Sequence, residues 1–235
     1  MTLVSVPNPP PLKPTGRNPG ESWEAYAARQ AAWWATPEGQ AEEAADRERK
    51  QHQKTAEETA RRVAWADRIG IPERYRFLGE PTTEPIDTQA ITAVKQPAEL
   101  TVLSGAAGCG KTAAACWWLM NSEQGARGAG APMFLTAARL SRISKFDDEV
   151  MGRILRSVRL VIDDLAVEYS DEKGFFRSLL DEVINERYGN RLPTLITTNL
   201  AADLFKERCG ERITDRVREA GRFVSLDNPS MRRRA

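Results

Sequence analysis

Apolar positions along the chain follow two different rhythms. Up to residue 69 they recur at helical spacing, and from Gly70 onward short β-branched runs alternate with helical stretches. Ser22 has the chemistry of a helix N-cap. Trp23, Tyr26, Ala27, Ala31 and Trp34 then predict a short amphipathic helix over 23–35. Thr36-Pro37-Glu38 is a fresh start signal: a capping hydroxyl, a proline at the first helical position and an acid in the first turn. The helix it opens is predicted to run to about Ile69, with Gly70 as its C-terminal cap and Pro72 just beyond. Between Gln40 and Arg62 its only apolar residues are alanines. A helix polar all round gains little from burial, so this stretch reads as a solvated spacer or as an arm that docks on a partner.

The second rhythm yields five strands: Leu100–Ser104, Ala131–Thr136, Leu160–Asp163, Pro193–Thr197 and Arg222–Leu226. Short apolar runs of this kind, separated by helices, describe a parallel α/β sheet covered on both faces. Residues 1–20 contain six prolines and two glycines, which predicts an extended arm. The expected organisation is a Pro-rich arm over 1–20, a helical partner-binding region over 21–69 and an α/β domain over 70–235.

Composition narrows the classes. The chain has 235 residues, 41% hydrophobic and 29% charged, which suits one core of ordinary domain size plus an appendage. No window nears 18 consecutive apolar residues, so no membrane-spanning helix is expected. One histidine (His52) and three cysteines without a CxxC pair argue against a zinc site and against His-based triads. An odd cysteine count without a signal peptide points to a reducing, cytoplasmic setting. The net charge of +1 shows no global pull toward a polyanion. It is an average, however: from Asp203 to the end there are nine bases against six acids. Of the 34 bases, 26 are arginine, the residue suited to forked contacts with phosphate and carboxylate.

The chemistry concentrates in three places. Gly105-Ala-Ala-Gly-Cys-Gly110-Lys111-Thr112 matches G-x-x-x-x-G-K-[ST], between a predicted strand and a predicted helix over Lys111 to about Asn121. Gly105, Gly108 and Gly110 let the backbone curl its N–H groups toward a phosphate, Cys109 sits among them as a small loop residue, and the helix N-terminus adds partial positive charge. Lys111 reaches the β- and γ-phosphates of ATP, and the Thr112 hydroxyl is a ligand for Mg²⁺. Leu160-Val-Ile-Asp163-Asp164 is an apolar strand ending in two carboxylates. Asp163 is the expected Mg²⁺ partner, and Asp164 stands where a base polarises the attacking water. Many ATPases carry Glu there, so the shorter Asp predicts slower hydrolysis. Thr197-Thr198-Asn199 ends the next strand; Asn199 orients the water or the γ-phosphate, or else caps the helix that starts near Ala201.

Arginines form the remaining candidates. Arg208, Arg212 and Arg216 make one helical stripe, with Glu207, Glu211, Asp215 and Glu219 as neighbours. The stripe is either a salt-bridged solvated face or the source of an arginine finger that projects into a neighbouring subunit's ATP. Arg139, Arg142 and Lys145, between the second and third strands, can meet a nucleic-acid backbone. Ser230-Met231-Arg232 lies in the basic terminus.

The ordered set GAAGCGKT, LVIDDL, Glu186-Arg187-Tyr188, ITTNL, GERITDR and SMR resembles the DnaC/IstB branch of AAA+ ATPases over about Gly70 to Arg232. The resemblance implies a P-loop AAA+ core with a five-stranded parallel sheet. Only nine residues follow the last predicted strand, so a truncated lid is expected. It also implies sensor 1 at Asn199, a trans-acting finger at Arg216, sensor 2 at Arg232 and single-stranded DNA contacts around Arg139 to Arg153. The implied activity is that of an ATP-dependent helicase loader, a homo-oligomer with ATP at subunit interfaces. Its N-terminal region would grip the replicative DNA helicase. Two departures stand out: residues 1–69 match nothing in the family, and Ala166 replaces the usual Gly after LVIDDL. An IstB-type transposition ATPase, acting with duplex DNA and a transposase, would use the same engine. A nucleotide-gated scaffold that barely hydrolyses ATP would fit Asp164.

Overall fold

The computed structural model describes residues 13–79, 88–96, 98–121, 130–143, 147–165, 174–227 and 229–230. The chain divides into two compact units, Met1–Glu58 and Thr59–Ala235. The division falls inside one continuous helix. Ala66 and Ile69 near that helix's end are buried in the core of the second unit, which draws its last turns there.

The first unit contains helix α1 (Trp23–Trp34) and the N-terminal part of helix α2 (Pro37–Arg68). Both start signals act as the sequence predicts. The Ser22 hydroxyl accepts from Ala25 N–H at 3.1 Å, and the Thr36 hydroxyl accepts from Gly39 N–H at 3.1 Å. The helical phase differs by one residue from the expectation. Trp33 is the buried anchor, while Trp34 is exposed and Trp23 is 70% exposed. The Trp33 ring lies edge-to-face against Trp34, with the Lys13 ammonium 5.5 Å from its centre.

At the end of α2 the Gly70 backbone has φ 88°. Ile71 N–H reaches back to Ala66 O at 2.9 Å and Gly70 N–H to Asp67 O at 3.0 Å. This pair of bonds is the glycine-dependent closure of a helix C-terminus. A 3₁₀ turn (Glu73–Gly79) and helix α3 (Gln89–Lys95) follow. The rest alternates: β1 (Leu100–Gly105), α4 (Lys111–Met120), β2 (Met133–Thr136), α5 (Ala137–Leu140), α6 (Asp148–Arg156), β3 (Leu160–Leu165), α7 (Phe175–Gly189), β4 (Thr194–Thr198), α8 (Ala202–Cys209), α9 (Glu211–Ala220) and β5 (Gly221–Leu226).

The five strands form one sheet in the order β2-β3-β4-β1-β5, and every pairing is parallel. Successive side chains alternate between faces. Leu100, Val102, Leu160, Ile162 and Ile196 pack with α6, α7, α8 and α9. Leu103, Phe134, Val161 and Leu195 pack with α3, α4 and the end of α2. Burying each such side chain contributes about 1.5–3 kcal/mol, so apolar runs read on both faces are what hold the layers together.

Among the described residues, one base is fully buried in this core, and its partners are carbonyls and hydroxyls rather than a carboxylate. Arg187, near the end of α7, is 0% exposed. Its guanidinium donates to Ile154 O (2.9 Å), Ser157 O (2.8 Å), Pro193 O (2.8 Å) and the Thr194 hydroxyl (2.9 Å). It therefore closes the last turn of α6 and ties that turn to the start of β4. Burial pulls its pKa down to about 10, which leaves it charged at neutral pH. Arg187→Met should lower the unfolding free energy by about 3 kcal/mol, because several buried carbonyls lose their donor together. Urea denaturation checks this, and a loss below about 1 kcal/mol would contradict the role.

Candidate functional site

The loop from Gly105 to Gly110 joins β1 to α4 at the C-terminal edge of the sheet. Gly108 (φ 89°) and Gly110 (φ 95°) both take left-handed conformations that a side chain disfavours. These turns let the loop wrap back on itself. Lys111 fills its inside: the ammonium donates to Gly105 O at 2.6 Å and Ala106 O at 2.9 Å. Cys109 is fully buried, its sulfur 3.7 Å from the Lys111 nitrogen.

The acidic pair sits across from this loop on β3. Register between β3 and β4 breaks between Ile162 and Leu165, so Asp163 and Asp164 together face Thr197. Asp164 adopts φ 58° within this bulge. Thr197 stabilises both halves of it. Its hydroxyl donates to Asp163 Oδ1 at 2.6 Å and accepts from Asp164 N–H at 2.9 Å. From the loop side, the Thr112 hydroxyl donates to Asp163 Oδ1 at 3.0 Å. The bulge leaves Asp164 exposed and Asp163 at 7% exposure.

Burial raises the Asp163 pKa. The Thr197 and Thr112 hydroxyls oppose that shift, Asp164 adds to it and Lys111 counters it. A buried, hydroxyl-bridged carboxylate beside a lysine-filled loop suits a hard cation and a polyphosphate. Thr112 and Asp163 are the residues that could hold Mg²⁺. Lys111 could exchange its loop carbonyls for phosphate oxygens.

Asn199 lies just past the end of β4, exposed, between the loop strand and the acidic strand. The chain there is fixed by the Thr198 hydroxyl, which accepts from Leu200 N–H at 3.1 Å, and by the Ser104 hydroxyl, which donates to Leu200 O at 2.6 Å. Lys111, Thr112, Asp163, Asp164 and Asn199 thus share one edge of the sheet.

Arg216 lies elsewhere. Its helix α9 packs on the sheet face opposite α4. The guanidinium stacks 4.3 Å from the Tyr188 ring centre, 3.1 Å from Asn185 Oδ1 and 3.5 Å from Glu219. Arg212 pairs with Asp181 at 2.6 Å. Arg139 and Arg142 are exposed between β2 and α6; Lys145 and Arg232 lie outside the described residues. Thr197 is the site residue that sequence reasoning missed. It belongs to the quoted TTN run, but its role depends on the β3–β4 register.

The raised Asp163 pKa carries a stability consequence. The folded state holds this proton more tightly than the unfolded chain, so ionised Asp163 costs stability increasingly as pH rises above the ordinary carboxylate range. Asp163→Asn should therefore melt at a higher temperature than the wild type at pH 7, with the difference closing toward about pH 4. Thermal melts across that range test it, and a less stable Asn variant at neutral pH would refute the assignment.

No protein-family model matches the chain, and no curated protein does. Among solved structures, the chain is similar to the DnaC helicase loader at 23% identity. That match covers 66% of this chain and all of that one, with a TM-score of 0.52. It is also similar to a primosome component from Streptococcus pyogenes serotype M3 at 18% identity, covering 72% of this chain and 98% of that one, again with a TM-score of 0.52. The all-parallel five-stranded sheet with its strand-tip loop is the architecture this chain shares with the structure of the DnaC helicase loader.

Proposed function

We propose that this chain is an ATP-dependent helicase loader acting in replication initiation. The observation that carries it is the convergence of Lys111, Thr112, Asp163 and Asn199 at one sheet edge, in a fold shared with the DnaC helicase loader. Lys111 leaves its loop carbonyls to meet the β- and γ-phosphates of ATP, and the loop N–H groups from Gly105 to Gly110 cradle them. Thr112 and Asp163 would hold Mg²⁺, which would supply neutralisation of the charge on the phosphoryl group. Asp164, exposed and beside the buried pair, polarises the attacking water, and Asn199 orients it. Arg216 serves a neighbouring protomer's ATP as an arginine finger, which fits its position on the far sheet face. Arg232 reads the γ-phosphate.

The AAA+ units assemble as a homo-oligomer on single-stranded DNA, which Arg139, Arg142 and Lys145 contact. The N-terminal unit recruits the replicative helicase, and the exposed Trp23 and Trp34 give it an aromatic contact surface. One observation favours slow turnover: the acid at 164 is short and sits in a left-handed backbone position. A nucleotide-gated scaffold is the second reading on that ground.

Lys111→Ala should abolish ATP binding, measured by a fluorescent ATP analogue. Arg216→Ala should keep ATP binding and lose about 10³-fold in hydrolysis under assembly conditions. Wild-type ATPase activity in Arg216→Ala would rule out the finger. Co-purification with a hexameric helicase supports the loader, whereas capture of a transposase would move the chain to the IstB type.

A further inference from the structure

The N-terminal edge of the sheet, opposite the phosphate loop, carries a cleft that ATP chemistry does not use. Glu99, Arg159, Pro193 and Ala220 line it, each immediately before the start of β1, β3, β4 or β5. The C-terminal ends of α3 and α4 complete it, through Lys95 on one and Trp117 and Trp118 on the other. Its volume is about 630 Å³, room for a bulky side chain and its neighbours on a bound segment.

Adjacent tryptophans are unfavourable to leave at a surface. Both indoles pack against the core beside α3 and α4, both are half-buried, and both line the cleft. Half-covered indoles of this kind are enriched where proteins meet. Their setting is fixed. Arg159 donates to Trp118 O at 2.7 Å, and the Asn121 side chain donates to Trp117 O at 2.9 Å, so the last carbonyls of α4 are capped. A wall held in this way is preorganised and loses little freedom when a partner binds.

The charge of the cleft is positive. The Lys95 ammonium stands 5.9 Å from the Trp117 ring centre, and the Arg159 guanidinium 4.9 Å from that of Trp118. Lys95 is exposed, and among the described residues it has no carboxylate partner. Glu99 is the one acid among the lining residues, and Arg191 lies 3.9 Å from it. Cations beside indoles favour a partner that brings carboxylates together with an apolar or aromatic anchor. A nucleic-acid strand is a poorer match, since the cations lie over the rings it would stack on and Glu99 repels its phosphates. We propose that this cleft docks an acidic segment of a partner protein. An apolar or aromatic side chain of that segment sits against Trp117 and Trp118, and its carboxylates meet Lys95 and Arg159. The site is separate from the nucleotide and single-strand roles proposed above, at the far end of α4 from Lys111 and Thr112.

The test is fluorescence polarisation of the full-length protein with labelled Asp-Glu-Phe-Asp-Glu, against its Ser-Ser-Phe-Ser-Ser and Lys-Lys-Phe-Lys-Lys analogues. The acidic peptide should bind about tenfold more tightly than the serine analogue, and the lysine analogue should not bind. Rising salt should weaken the acidic peptide. Lys95→Glu, at an exposed position, should lose about tenfold in affinity, while Lys95→Arg keeps it. An unchanged thermal melt of Lys95→Glu separates lost docking from lost folding, and both Lys95 variants should bind an ATP analogue as the wild type does. Absence of saturable binding by the acidic peptide would overturn the docking site. Equal binding by the serine analogue, or wild-type affinity in Lys95→Glu, would do the same. Displacement of the peptide by oligothymidine, with Lys95→Glu weakening the oligothymidine equally, would reassign the cleft to nucleic acid. Self-association in sedimentation that Lys95→Glu abolishes would make a second copy the occupant, and it too would overturn the proposal.

Discussion

The Asp163 carboxylate leaves solvent almost completely, and a carboxylate there persists only if donors meet it. Two threonine hydroxyls do so, one from α4 and one from β4. Their meeting constrains much of the C-terminal unit. The acidic strand must adjoin β4, the loop strand must lie on β4's other side, and α4 must cross the face that brings Thr112 over. The strand order β2-β3-β4-β1-β5 satisfies all three conditions. The bulge at Asp163–Asp164 then separates two adjacent acids, one toward the buried hydroxyls and one toward water. Two carboxylates adjacent in sequence thereby meet different surroundings, one buried and one exposed.

Arg187 plays the matching part at the other edge of the strands. Pro193 immediately precedes β4, Ser157 caps α6 three residues before β3, and Ile154 belongs to α6. A flexible contact would let α6 shift against the sheet; six closely fitted donor–acceptor contacts resist that motion. The helix carrying Arg153 and Arg156 is therefore held in register with the strand that ends in Asp163.

Much of this was legible in the sequence. Apolar runs marked all five strands within a residue or two, because burial on both faces leaves a continuous signal. The glycine-rich loop and the acid pair were legible because their chemistry is local and their spacing is fixed. What escaped depends on registers between distant segments. Thr197 looks like any strand threonine until β3 is laid beside β4. Arg187 looks like a surface base at a helix end until that end is seen capping a second helix. Trp33 was passed over for Trp34 because one residue rotates a helical position by about 100°, and short helices leave the phase poorly determined. The helix that is polar through its middle regains apolar residues only in its last turns, and those turns join the second core.

The left-handed backbone at Asp164 reaches beyond geometry. Asp and Asn tolerate such a conformation because their short polar side chains can settle against the local backbone, whereas longer side chains are less at home there. The identity of the acid at 164 is thus partly dictated by the fold and not by reaction chemistry alone. A longer side chain at 164 would work against the bulge that keeps Asp163 in place. The side chain at 164 and the surroundings of the buried Asp163 are therefore tied together by one short stretch of backbone.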